Sequence, residues 1–97
     1  MKMHNPPHPG VFIQEVYLTP NQISGRELAL KLGVAASTLN RVLNETSGIS
    51  PKMALRLSMA LGRSPESWLA MQDNYDLWQA RQTLDLEQVD KLEFKYA

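Results

Sequence analysis

Short polar and forked side chains between residues 37 and 44 hold the groups of this chain best suited to recognising another molecule. Hydroxyl, amide and guanidinium groups match the hydrogen-bond donors and acceptors on base-pair edges, and a guanidinium also pairs with phosphate. This chemistry favours recognition of double-stranded DNA, with base-edge contacts from Ser37, Thr38, Asn40, Arg41 and Asn44.

The apolar and small residues around this run predict the two helices that would present it. The inward positions recur at helical spacing: Leu28, Ala29 and Leu32, then Val34, Leu39, Val42 and Leu43. Gly33 lies at the turn, where a left-handed backbone favours glycine, and Ala29 allows the two helices to cross closely. The stretch from Gly25 to Asn44 is therefore typical of a helix-turn-helix. The alternative is an ordinary helical hairpin with a polar outer face.

Further polar residues flank the predicted pair of helices and suit the DNA backbone. We expect the first helix of the pair to cross the backbone and the second to enter the major groove. Free N–H groups at the start of the next helix would help to hold phosphate. The predicted phosphate contacts are Lys31, Thr46, Ser47, Ser50 and Lys52.

The charges of the chain cancel overall but are separated along its length. Residues 1–63 contain seven basic and three acidic residues, a net charge of +4, whereas residues 64–97 contain three basic and seven acidic residues, a net charge of −4. A basic half suits a DNA partner, because binding DNA neutralises phosphates. The acidic end is either a solvated segment or a contact for a basic protein.

The composition indicates one folded domain of 97 residues, with 43% apolar residues and no cysteine. The absence of cysteine excludes a disulfide framework and a thiolate metal site. His4 and His8 have the spacing of metal ligands on a helix, but Pro6 and Pro7 between them forbid that helix. We therefore expect no metal. Ser37 and Ser50 have no histidine within a plausible triad and no glycine-rich phosphate loop is present, so we also expect no cofactor and no enzymatic activity. With no apolar span and no leader segment, we expect a cytoplasmic protein.

Start and stop signals predict an all-α fold of five helices. Ser24, Ser50 and Ser64 have the character of N-caps, and Gly62 ends the fourth helix. The predicted helices span residues 10–18, 25–32, 36–44, 51–61 and 65–84, with residues 19–23 as a loop. This organisation predicts a flexible N-terminal arm (1–8), a single DNA-binding and dimerisation domain (9–84) and a short acidic tail (85–97).

The fifth helix carries an aromatic stripe that one small core does not readily absorb. Apolar residues recur at spacings of three and four along it: Trp68, Met71, Tyr75 and Trp78, with Leu69, Leu77 and Leu84 in an adjacent row. We expect Trp68 and Leu69 to close the core. Met71, Tyr75, Leu77 and Trp78 form the predicted dimer interface, since two recognition helices one duplex turn apart read a palindromic operator. The alternative is that the whole stripe packs within one chain.

Several motifs together resemble the HigA group of antitoxins, within the Xre/Cro-like class of helix-turn-helix proteins. The matching segments are His8-Pro9-Gly10, LALKLGVAASTLNRVLN, Gly48-Ile49-Ser50-Pro51, MALRLSMALGRSPESWL, Gln72, Asn74-Tyr75-Asp76-Leu77-Trp78 and Ala80. The chain departs from that pattern at Pro20-Asn21-Gln22, where a leucine-glycine pair is more typical, and at Val11-Phe12-Ile13, where an acidic residue commonly follows the glycine. The resemblance implies a lambda-repressor-like domain with a long fifth helix.

The resemblance also implies a biological role. Such antitoxins bind and neutralise a small basic toxin that cleaves messenger RNA, and they repress their own operon. The toxin would contact the arm Met1–His8, the first helix or the acidic segment Asp85–Glu93. Two other readings stay open: a stand-alone repressor without a toxin partner, and a protein-binding scaffold that does not bind DNA.

Overall fold

The computed structural model describes residues 5–95, and these residues form five helices with no strand among them. Helix α1 is continuous from residue 9 to residue 21 and consists of Pro9–Ile13, a π turn at Gln14–Leu18, and Thr19–Asn21. The other helices are α2 (Gly25–Leu32), α3 (Ala36–Leu43), α4 (Pro51–Leu61) and α5 (Pro65–Thr83). The all-α prediction is confirmed, and α2 to α5 begin and end within one residue of the predicted bounds.

Side-chain caps fix where four of the helices begin. The hydroxyl oxygens of Ser24, Ser50 and Ser64 accept hydrogen bonds from the backbone N–H groups three residues later, at 3.0, 3.1 and 3.0 Å. Each such cap stabilises a protein by about 1 kcal/mol. Helix α1 has an unpredicted cap, because Nδ1 of His8 accepts from the N–H of Gly10 at 2.9 Å.

The predicted loop over residues 19–23 was wrong in its first part, because α1 continues through Asn21. Pro20 lacks an N–H, and its ring would crowd the carbonyl of Val16 in a regular α-helix. The wider π turn at Gln14–Leu18 lets the helix pass this position. The helix then stops at Gln22, which has a left-handed backbone with φ of 56°.

The core lies where all five helices meet. Its members are Ile13, Leu18, Leu28, Ala29, Leu32, Leu39, Val42, Ile49, Met53, Ala54, Leu57 and Trp68. Trp68 is fully buried, and its Nε1 donates to the carbonyl of Gly62 at 2.9 Å. Leu69 packs against this core, as predicted. Met71 packs there as well, so only the later part of the stripe leaves the core.

Beyond α5 the chain is exposed. A single 3-10 turn covers Leu86–Gln88, and the apolar side chains of Leu84, Leu86, Val89, Leu92 and Phe94 are each more than 60% exposed. Within residues 5–95, no helix has the length and apolar character needed to cross a membrane.

Candidate nucleic-acid interface

Helices α2 and α3 form a helix-turn-helix around Gly33. Gly33 has φ of 74°, the left-handed backbone that its sequence position predicts. Ala29 is 2% exposed, as expected for a residue under a close helix crossing. The turn is closed by the N–H of Val34, which donates to the carbonyl of Ala29 at 3.1 Å.

An arginine of α4 secures the same turn, a contact that sequence reasoning missed. Nη1 of Arg56 donates to the carbonyls of Leu32 and Gly33 at 2.7 and 3.3 Å. These carbonyls lie at the end of α2, where no intrahelical donor is left for them. The geometry of the turn is thus held from α4 as well as by Gly33. The only sequence signal was a basic residue on an otherwise ordinary amphipathic helix.

Helix α3, the recognition helix, buries its apolar face and presents its polar face to solvent. Leu39 and Val42 are 0% and 2% exposed. The inner face of α3 is therefore packed into the core, and its outer face remains accessible to solvent. Of the predicted base-edge residues, Thr38 is half-buried and the others are exposed: Ser37, Asn40, Arg41 and Asn44.

The segment after α3 folds back onto the recognition helix. The N–H groups of Thr46 and Ser47 both donate to the carbonyl of Arg41, at 2.9 and 3.1 Å, and the Thr46 hydroxyl donates to the same oxygen at 3.1 Å. Glu45 reverses the chain with φ of 64°. This brings Thr46 and Ser47 beside the end of the predicted reading face.

Of the predicted phosphate contacts, Thr46 and Ser47 lie at the end of α3, whereas Lys31 lines a shallow hollow between α2 and α4. Ser47 is half-buried, whereas Lys31, Ser50 and Lys52 are exposed. Ser50 accepts a bond from the N–H of Met53. Its own hydroxyl hydrogen remains available as a donor, because a hydroxyl both donates and accepts.

Two buried polar residues support this segment from below, and neither was predicted to do so. Gln72 of α5 accepts from the N–H of Ile49 at 2.9 Å, and His8 is 3% exposed beside Tyr75, with ring centroids 4.9 Å apart. Burial lowers the pKa of His8, against the charges of Glu45 and Asp76 and a hydrogen bond with the Ser47 backbone. Their burial depends on contacts between distant parts of the chain, so no local pattern signals it.

The later part of the aromatic stripe lines an open cleft next to this segment. Tyr75 and Trp78 are half-buried with ring centroids 6.5 Å apart, whereas Leu77, 52% exposed, lies outside this cleft near Leu84 and Leu86. The cleft has a volume of about 380 Å³ and is bordered by residues 5–8 and by Glu45. Of the predicted dimer-interface residues, Tyr75, Leu77 and Trp78 remain accessible, whereas Met71 packs against the core.

Known proteins resemble this chain both in sequence and in structure. A family model described as helix-turn-helix matches residues 15–68. The chain is 39% identical to an uncharacterised HTH-type transcriptional regulator of Escherichia coli (strain K12), over 95% of this chain and 97% of that protein. It is 35% identical to antitoxin HigA-1 of Vibrio cholerae, over 74% and 68% of the two chains. The solved structure of antitoxin GraA in complex with its operator superposes with a TM-score of 0.84 at 37% identity, over 97% of this chain and 98% of that chain.

Proposed function

The chain belongs to the helix-turn-helix family, and from that premise we propose that it is the HigA-type antitoxin of a toxin–antitoxin pair. In this role it binds operator DNA as a dimer, represses its own operon and neutralises a small basic ribonuclease toxin. The observation that carries the proposal is the recognition helix, whose apolar face is buried while its polar face is open.

The DNA-binding part of the proposal follows from the exposed polar face. Arg41 has the forked group that pairs with guanine, and Asn40 has the amide that pairs with adenine. Ser37, Thr38 and Asn44 complete the reading face, and they contact base edges or nearby phosphates. The flanking residues that hold phosphate are Lys31, Thr46, Ser47, Ser50 and Lys52.

The dimer follows from the apolar groups that α5 leaves accessible. Tyr75 and Trp78 line one open cleft and Leu77 lies near Leu84 and Leu86, and accessible apolar side chains of this kind mark contacts with other proteins. Two copies joined there are related by a two-fold axis. Their recognition helices then read the two halves of a palindrome.

The toxin-binding part is supported by the exposed acidic end of the chain. Residues 85–95 carry four carboxylates among exposed leucine, valine and phenylalanine side chains. Such a segment suits a basic partner, because it offers opposite charge and apolar area together. Residues 5–8 and α1 are the other two candidate surfaces; Met1 to His4 lie outside the described residues.

Two measurements test the proposed function. The purified protein is expected to bind a duplex carrying the DNA upstream of its own coding sequence, with an affinity that falls steeply as salt rises. Co-expression with the adjacent gene is expected to rescue growth and to yield a co-purifying complex. DNA binding without rescue or co-purification would favour a stand-alone repressor. Absence of salt-dependent binding to any duplex would favour a protein-binding scaffold.

A further inference from the structure

Gln72 of α5 is a buried amide that the proposed DNA contacts do not include. It is 7% exposed, yet both ends of its side chain are hydrogen-bonded. Its Oε1 accepts from the N–H of Ile49 at 2.9 Å, and its Nε2 donates to Oδ1 of Asp76 at 3.0 Å. Burying such a group is favourable only when its donors and acceptors are paired, so the side chain has one defined orientation.

The backbone before Ile49 is fitted around this amide. A Cβ atom on Gly48 would lie 2.9 Å from Cδ of Gln72 and 3.1 Å from both Oε1 and Nε2. Real Cβ atoms do not approach that closely. Gly48 therefore lets the chain pass directly over the Gln72 side chain, and the Ile49 N–H reaches its acceptor.

The residues held in this way lie between two proposed phosphate contacts. Ser47 precedes the glycine and is tied to the recognition helix through the Arg41 carbonyl, and Ser50 follows Ile49 as the N-cap of α4. Gln72 ties the middle of this short segment to α5. The segment is thus fixed by the recognition helix, by α4 and by Gln72.

We propose that Gln72 is a positioning residue of the DNA-binding site. Gln72 holds residues 47–50 in the conformation that contacts phosphate, and it does not touch DNA itself. This inference rests on the proposed DNA-binding function. Asp76 fixes the orientation of Gln72, because its carboxylate accepts a hydrogen bond from Nε2 and so directs Oε1 toward Ile49. An amide turned the other way would place two donors face to face.

The pairing of Gln72 with Asp76 allows a test by exchange of groups. In Gln72→Leu the Ile49 N–H loses its acceptor in a buried place. In the double variant Gln72→Glu/Asp76→Asn, the carboxylate accepts from Ile49 and from the new amide, so both hydrogen bonds are kept at the same net charge. Gln72→Glu alone places two carboxylates side by side. Gln82→Leu, an exposed position on the same helix, is the matched control.

The measurements are the affinity for a duplex that the wild-type protein selects from a random-sequence pool, the salt dependence of that affinity, and hydrogen exchange at the Ile49 amide. We expect Gln72→Leu to bind about tenfold more weakly, the effect of losing one buried hydrogen bond that orders the segment. The Ile49 amide hydrogen of this variant should exchange faster than in wild type, while circular dichroism should still show a folded protein. The double variant should bind within a factor of about two of wild type, as should Gln82→Leu.

Two results would overturn the inference while leaving DNA binding intact. One is a folded Gln72→Leu protein with wild-type affinity and salt dependence. The other is a folded double variant that binds as weakly as Gln72→Leu although its Ile49 amide is protected. A wild-type protein that selects no duplex contradicts the proposed function itself, and the role of Gln72 in DNA binding fails with it.

Discussion

Gly10 of α1 lies directly against the carbonyl oxygen of Val42 in the recognition helix, so closely that no side chain fits between them. A Cβ atom at this position would overlap that oxygen and would lie 2.9 Å from Cα of Leu43. The neighbouring groups are backbone atoms of a packed helix and have no freedom to move aside. The glycine of the His8-Pro9-Gly10 segment therefore sets how near α1 approaches the DNA-binding helix.

Replacing this glycine should separate α1 from α3. We expect Gly10→Ala to lower the free energy of unfolding by about 3 kcal/mol, the upper part of the range for overpacked sites. Urea denaturation measures the change. Gly25→Ala is the control, because its Cβ would meet only flexible side-chain ends, Cδ1 of Leu43 at 3.2 Å and Oδ1 of Asn40 at 3.5 Å. Equal stability of the two variants would contradict the close approach.

Gln22 ends α1 in a left-handed conformation that glycine adopts more easily. We expect Gln22→Gly to raise the free energy of unfolding by about 0.5 kcal/mol, because the relief of backbone strain exceeds the entropy that glycine adds to the unfolded chain. Thermal unfolding is the measurement. Gln22→Ala keeps the strained backbone at φ of 56° and should bring no gain. A larger gain from alanine would refute this account.

The lowered pKa of His8 predicts a pH-dependent stability. Because burial favours the neutral ring in the folded state, the unfolded chain binds more protons once the pH falls below the ordinary value of 6.5. Stability is therefore full above that pH and is lost as the pH falls toward the folded-state pKa. Protonation of Nδ1 would also remove the acceptor that caps α1.

His8→Asn separates this effect from other titrations, since asparagine also caps helices but does not titrate in this range. We expect the loss of unfolding free energy between about pH 7.5 and pH 5.5 to be smaller in this variant than in wild type. Glu45 and Asp76 oppose the effect of burial and are present in both proteins. If the unfolding free energies of the two proteins depend identically on pH, titration of His8 does not contribute to stability.

The structural roles predicted correctly from the sequence are those that depend only on neighbouring residues in the chain. Ser24, Ser50 and Gly33 are recognisable because a cap or a left-handed turn depends on a few neighbouring residues. Gln72 and His8 depend instead on partners that the fold brings from elsewhere: Ile49 lies 23 residues from Gln72, and His8 packs on Tyr75. The amide and the imidazole were thus assigned no role in the site.

The π turn of α1 shows a second kind of limit. The sequence predicted a loop from residue 19, but the structure accommodates Pro20 by widening the preceding turn rather than by ending the helix. The choice between these outcomes depends on packing, since Leu18 is 1% exposed and Ile13 is fully buried on the same helix. Buried contacts just before the turn and at its last residue favour a continuous helix.

Arg41 and Lys52 should affect DNA binding in different ways. Arg41→Ala removes the proposed bidentate base contact and should reduce discrimination at one base pair by about 1–3 kcal/mol. Lys52→Ala removes the proposed phosphate contact, so binding should weaken equally for all sequences and the slope of log affinity against log salt should decrease in magnitude by about one. Competition among duplexes with single base-pair changes, repeated at several salt concentrations, measures both. Undiminished selectivity of Arg41→Ala would remove Arg41 from the reading face.

The accessible apolar surface of α5 gives the last prediction, which concerns the dimer. Leu77 is 52% exposed on the same helix as Tyr75 and Trp78, so Leu77→Glu places a charge on the proposed interface without disturbing the core. We expect sedimentation to show a monomer at concentrations where wild type is a dimer. Affinity for a two-half-site operator should fall, because each recognition helix then binds alone. Met59→Glu is the matched control, because Met59 is 89% exposed on α4, and it should leave the dimer intact. If Leu77→Glu remains dimeric while Met59→Glu dissociates, the interface lies on α4 instead of α5.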